Sequence, residues 1–425
     1  MITPVTTARP QGQNENAGLF GIGGKNYFFT FALMCSLFLL WGFCSGLLDN
    51  LNKHFQNSLH ISKFESGFVQ NAFYMGYFVM ALPAGMVARR YGYKGGIVFG
   101  LSLAALGAFW LVHAAAIGTY AAFLLGLFVL ASGLACLETI ANPYTTVLGP
   151  PESGATRINM AQTCNGLGWI SGMLIGAYVI FSPDQKVNTS NAQLYIPYLG
   201  IGIAVAVLLF IFMPSSIPDL HASEEFHAEA RGTSVKPLYE RWHFTLGVVA
   251  QFLYVAAQTG IFSFFINYSV VNLANLSDRH AGYLQALAFA LFAFGRLVGS
   301  AVIGKTRPHK ALAAYAVINT AMMMVAMICG GWTGVVGLMA SFFFMSIMFP
   351  TIFALSIRGL GEHTKLGSSM LVMSVVGGAI MTPIMGRIAD EGGMRLGFII
   401  PLSCFVFIAF YAANWVRLES RDATE

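Results

Sequence analysis

The chain has 425 residues, 56% of them apolar and only 10% charged, with a formal net charge of +5. So few charges cannot clothe a soluble surface of this length, and apolar runs near 20 residues recur throughout, which defines a multispanning membrane protein. The basic residues are scattered over many loops and form no patch, which speaks against a nucleic-acid partner.

Residues 1–27 are polar and carry no charged n-region close to an apolar h-region, so they read as a cytoplasmic tail. Twelve helical spans follow, at 28–53, 64–88, 97–115, 119–148, 157–181, 195–213, 242–272, 279–303, 310–328, 333–356, 365–388 and 396–417. Helices are expected because a backbone in lipid must satisfy its own hydrogen bonds, and the short alternation of barrel strands is missing. The longest polar break, 214–241, reads as a cytoplasmic linker. The expected fold is therefore an all-α membrane protein of two six-helix bundles, 28–213 and 242–425, the latter ending in a short tail. With the N-terminus inside, sixteen Lys and Arg fall in inner segments and six in outer ones, with Arg296 within a span. That bias places both termini in the cytoplasm.

Charged residues well inside spans are Asp49, Glu138 and Arg296. Each costs ~3 kcal/mol at the bilayer centre on insertion scales, so each needs a partner, a water-filled cavity or a changed protonation state. Asp49, near the end of the first span, reads either as an interfacial acid paired with Lys53 at i+4 or as a proton site. Trp41, two turns earlier, could stack on the C–H face of a pyranose or simply pack. In the second span "GFVQNAFYMGYF" lies over "GYLQALAFALFA" of the eighth at a constant offset of 215, pairing Gln70 with Gln285. "GMVARRYGYKGG", 85–96, reads as the loop after the second span.

The fourth span contains "GLACLETIANPY", in which Glu138 and Asn142 share a face at i and i+4. A carboxyl beside an amide suits the paired hydroxyls of a sugar, and a carboxyl away from water can be neutral when loaded and charged when releasing. Asn159, Gln162 and Asn165 form an amide stripe on the fifth span, and Gln251, Tyr254 and Gln258 another on the seventh; either stripe could bind substrate or tie helices together. Phe349 before Pro350 could wall a site, and Arg296 is expected to make an ion pair or gate contact. Gly166, Gly168, Gly172 and Gly176, with Gly377 and Gly378, permit the close helix approach that two rocking bundles need. The six cysteines lack metal-site spacing and no nucleophile–base order appears, so neither a metal, a cofactor nor an enzyme is expected.

"SLFLLWGF", "LNKHFQ", "GYFVMALPAG", "GLACLETIANPY", "VLGPPESGATRINMAQTCNGLG" and "FPTIFALSIRGLGEHTKLGSSMLVMSVVGGAIMTP" together resemble the bacterial fucose/proton symporter family of the major facilitator superfamily, over about 30–415. The resemblance implies that Asp49 and Glu138 are coupling carboxylates and that Gln162 and Asn165 are an amide pair for sugar. Arg89 stands where the superfamily loop pattern carries Asp, and "FCSGLLD" is poorer in Asn than the family's first span. The expected function is a sugar/proton symporter of alternating access, importing a hexose or deoxyhexose of the fucose, galactose or glucose type across a bacterial inner membrane. Its partners would be the sugar and membrane lipid, its working form a monomer and its coupling ion H+. Sodium coupling, or export of a drug or metabolite, are the alternatives, and the amide stripes speak against the second.

Overall fold

The computed structural model describes residues 19–22, 25–150, 154–181, 195–215, 217, 238–360 and 364–424. Most of the expected linker therefore lies outside the described residues, as do the side chains of Arg89 and Asn159. Twelve helices are long and apolar enough to cross a membrane: α1 Phe28–Leu59, α2 Lys63–Ala88, α3 Arg90–Ile117, α4 Tyr120–Thr145, α5 Met160–Ile180, α6 Tyr195–Phe212, α7 Trp242–Asn272, α8 Asp278–Gly299, α9 Pro308–Ile328, α10 Gly331–Ile357, α11 Met370–Gly392 and α12 Met394–Arg421.

Two local features differ from the sequence reading. The stretch 85–96 is a tight connection and not an extended loop: two helices meet at Gly92, whose φ of 70° and ψ of 178° leave the helical region and suit a residue without Cβ. Basic and glycine residues suggested a break, but a single glycine is enough to turn the chain. Conversely, α10 is not continuous. It stops at Met345 and resumes at Met348, because Pro350 brings no N–H and its ring crowds the carbonyl four residues earlier, that of Ser346. α4 keeps its helix through Pro143 as far as Val147.

The buried apolar side chains gather in two large bodies, one mainly from Phe31 to Ile217 and the other mainly from Ala250 to Trp415, each with residues from across the interface, and in a small cluster of Leu238, Phe244, Leu360 and Leu371. Inside the first body α1 and α5 lie backbone to backbone. A Cβ on Gly42 would stand 2.0 Å from the Asn165 carbonyl oxygen, and one on Gly168 2.3 Å from that of Leu39. Gly46 against Trp169 and Gly172 against Phe43 repeat the contact one turn further on. The glycines of α5 thus serve packing within one half as well as contact between halves, since Gly168 and Gly172 face α1 whereas Gly166 faces Ala293 of α8.

Hydrogen bonds and ion pairs link the halves at one end, where α1 finishes and α2 begins. There Asn52 Nδ2 donates to the Ser263 carbonyl (3.0 Å), Asn57 Nδ2 to Asp278 (2.6 Å), and Asn71 Nδ2 to the Ala379 carbonyl (3.1 Å). Asn267 Nδ2 donates to Gln56 Oε1. Asp390 takes Lys63 Nζ at 3.1 Å together with the backbone N–H groups of Lys63 and Phe64. Arg279 of α8 reaches the carbonyls of Phe181 and Tyr178 at the end of α5. This end is closed by polar contacts made in both directions.

Candidate functional site

Glu138 projects from α4 into a small recess lined by Leu37, Phe38, Trp41, Leu137 and Ala141. It is half-buried, and no described residue donates a hydrogen bond to it. A carboxyl group in an apolar recess can take up a proton or accept from a ligand hydroxyl. Trp41 closes one side, with its ring 6.1 Å from that of Phe38. Asn142, one turn along α4, accepts from Gln162 Nε2 of α5 at 3.4 Å, so two of the expected sugar ligands are joined beside the carboxyl. Asn165 is buried and its Nδ2 donates to the Phe38 carbonyl at 3.2 Å, so in this conformation it ties α5 to α1.

Asp49 is held apart from this recess, by amides and not by a cation. Gln70 Nε2 donates to its Oδ1 at 3.0 Å and Gln285 Nε2 to its Oδ2 at 3.2 Å. The i+4 pairing with Lys53 is not formed, since that ammonium faces Asp278 at 3.9 Å. The offset of 215 placed the two glutamines in one register but gave no sign that they would meet on a residue of α1.

In the second half Gln251 is fully buried, and neither its amide nitrogen nor its oxygen has a partner. A primary amide left so is costly to desolvate, which marks a place for a polar ligand or water. Tyr254 is spoken for: its hydroxyl donates to the Met345 carbonyl at 2.9 Å, steadying the end of the first segment of α10, and its ring meets Phe349 edge-on at 6.1 Å. Gln258 is half-buried without a hydrogen bond. Arg296 makes no ion pair among the described residues. Its guanidinium lies over the Phe292 ring of the same helix at 5.2 Å, a cation–π contact.

Three further residues escaped the sequence reading. Tyr74 and Tyr77 of α2 lie within electrostatic reach of Glu138, and Tyr74 of Asp49 as well. Trp169 of α5 enters an aromatic nest in the opposite half, 5.7 Å from Phe262 and 5.0 Å from Phe289, with Phe342 stacked on Phe262 at 4.5 Å. In a chain with 36 phenylalanines, only the glycines flanking Trp169 set it apart. No group of three or more His, Cys, Asp or Glu that could hold a metal occurs among the described residues.

Twelve spans in two six-helix bundles, with carboxyls and amides turned to the space between and around them, define a membrane protein of the two-bundle type. The chain belongs to the major facilitator superfamily, whose sequence model matches residues 27–373. It is 37% identical over 444 residues to the L-fucose-proton symporter of Escherichia coli (strain K12), covering 99% of both chains. It is also 37% identical to a glucose/galactose transporter of Brucella abortus, covering 91% of this chain and 94% of that one. The superfamily transporter FucP, crystallised in the outward conformation, superposes with a TM-score of 0.66 at 38% identity, over 92% of this chain and 99% of the other.

Proposed function

We propose that the chain is a sugar/proton symporter, a carrier and not an enzyme, importing a hexose or deoxyhexose of the fucose, galactose or glucose type. The observation that carries this is Glu138: a carboxyl without a donor, between an indole ring and a pair of joined amides. A pyranose offers an apolar C–H face to Trp41 and hydroxyls to Glu138, Asn142 and Gln162, while Gln251 and Gln258, with Phe349 as a wall, would meet it from the other half. Asn165 positions α5 for that contact. Two relatives named for sugars, one of them for protons, support the same reading. Asp49 and Glu138 are the proton-coupling residues.

The excess of Lys and Arg on the opposite face makes the closed end the outer one. This conformation then opens inward, in a bacterial inner membrane, with both termini in the cytoplasm and the single chain as the working unit. In proteoliposomes, sugar addition should alkalinise the outer medium, and Glu138→Gln should abolish that signal while labelled sugar still exchanges for unlabelled. An alkalinisation that survives the substitution unchanged sinks the mechanism, and uptake that follows sodium at fixed pH replaces the proton. A thermal-shift series with fucose, galactose, glucose, mannose and fructose names the sugar, since a ligand of the folded site alone stabilises it.

A further inference from the structure

The closed end is held by hydrogen bonds, yet hydrogen bonds do not by themselves keep water out. Ser263 Oγ, Asn267 Oδ1 and Gln285 Oε1 are buried in that layer without partners, and a water molecule that reached them would find places to bind. One turn further from the closed end the character changes. On α8, which starts there, Phe289 follows Gln285 at i+4. On α5, which finishes there against Arg279, Trp169 lies at i+4 from Asn165 on the side of that end. Trp169 thus stands between the polar layer and the amides of the sugar recess. Its ring lies 5.7 Å from Phe262 of α7 and 5.0 Å from Phe289, and Phe342 of α10 completes the socket, stacked on Phe262 at 4.5 Å and edge-on to Phe289 at 5.4 Å. All three phenylalanines are buried and all belong to the second half. The indole belongs to the first, on a stretch of backbone that cannot slide: a Cβ on Gly46 of α1 would stand 2.2 Å from the Trp169 carbonyl oxygen.

We infer that the Trp169 indole, seated in the socket of Phe262, Phe289 and Phe342, is the water seal of the closed end. The amides hold the halves together; the indole stops water, and any proton that water would carry, from passing between the sugar recess and the outer medium. The inference rests on reading the chain as a proton-coupled carrier whose closed end faces out. In such a carrier a proton must cross only with its sugar, and a continuous thread of water would let it cross alone. Aromatic rings packed edge to face offer that thread no hydrogen-bond partner, and a constriction of this kind excludes water by dewetting. Each half owns one part of the seal. It is therefore made only when the halves meet, and it breaks as α1 and α5 move off together.

The test holds the end shut and asks whether it is dry. Asn57→Cys and Asp278→Cys, at positions whose side chains are hydrogen-bonded across the seam, are joined by a short bifunctional thiol reagent in the full chain, with the native cysteines replaced. The locked protein is placed in vesicles with a pH-sensitive dye and an imposed proton gradient, without sugar. With Trp169 in place it should be as tight as empty vesicles. Trp169→Ser, which removes the ring and gives water a partner, should collapse the gradient at least about tenfold faster. Phe289→Ala opens the socket from the other half and should do the same, so the outcome does not hang on the folding of one variant. Trp169→Phe keeps a ring in the socket and should stay within about threefold of the unsubstituted protein. Phe294→Ala, on the same helix as Phe289 but at a position 57% exposed, should not leak. Exchange of labelled for unlabelled sugar before locking shows that each variant is folded. Locked Trp169→Ser and Phe289→Ala proteins that stay tight overturn the seal, as does a locked protein that leaks with Trp169 in place. The carrier reading fails separately: unlocked, unsubstituted protein that moves no proton with sugar removes symport whatever the locked protein does, whereas sugar-driven alkalinisation beside tight locked variants keeps symport and removes the seal.

Discussion

At the scale of single residues, the site is a contrast between groups that are satisfied and groups that are not. Asp49, Tyr254 and Asn165 have partners, while Glu138 and Gln251 have none. Removing Trp41 with Trp41→Ala should weaken sugar binding about tenfold, since a stacked ring contributes about 1.5 kcal/mol beyond its buried area; titration by isothermal calorimetry checks this, and Trp41→Phe should recover part of the loss. Gln251→Leu tests whether the buried amide is there for ligand. It should leave the melting temperature unchanged or raised, because an unpartnered polar group is removed, while lowering sugar affinity. A lowered melting temperature with unchanged affinity assigns Gln251 to packing instead. Glu138 and the amides of α4, α5 and α7 are conspicuous in the sequence because an ionisable or amide group stands out in an apolar span. The meeting of the two glutamines on Asp49 is not, because side chains 215 residues apart carry no mark of it.

At the scale of helices, the tightest contact in the first half is the glycine interlock of α1 and α5. Gly42→Ala would press a methyl against the Asn165 carbonyl at 2.0 Å. The helices must then separate, at a cost of about 1–3 kcal/mol, and the melting temperature in detergent should fall by several degrees. Gly92→Ala strains the backbone itself, since φ 70° with ψ 178° is a conformation essentially reserved for glycine and costs a residue with a Cβ about 1–3 kcal/mol. The number and rough limits of the spans followed from hydropathy alone, a property summed over twenty residues. The breaks followed only in part: 85–96 read as a loop and is a turn at a single glycine between two helices, whereas α10 looked continuous and is interrupted before Pro350. Hydropathy reports which segments lie in lipid and is nearly silent on where a backbone bends inside them.

At the scale of the molecule, closure is spread over many modest contacts. Lys63 and Asp390 are each about a quarter exposed, at 26% and 24%, and a pair of this kind is worth at most about 1 kcal/mol. Asp390→Asn alone should therefore shift the closed fraction less than about tenfold, although it also weakens the hold on the backbone N–H groups of Lys63 and Phe64. Adding Asn52→Ala and Asn71→Ala should open the end in most molecules, read as solvent labelling of cysteines placed at Ser263 and Ala379. The division into halves was legible from the polar break at 214–241 and from the weak repeat. The face on which they meet was not, because it belongs to one conformation among several that a single sequence must support.

The interlock of α1 and α5 has a bearing on selectivity. These two helices carry Trp41 and Gln162, and carbonyls locked under glycines cannot slide as the halves move. Under the proposed sugar site, the first half would present a backbone template of constant shape, ready before the sugar arrives. On that proposal, tolerance for a different hexose would be built in the other half, where α10 is interrupted and the Gln251 amide is buried without a partner, and exchanging residues there would be the route to a changed diet.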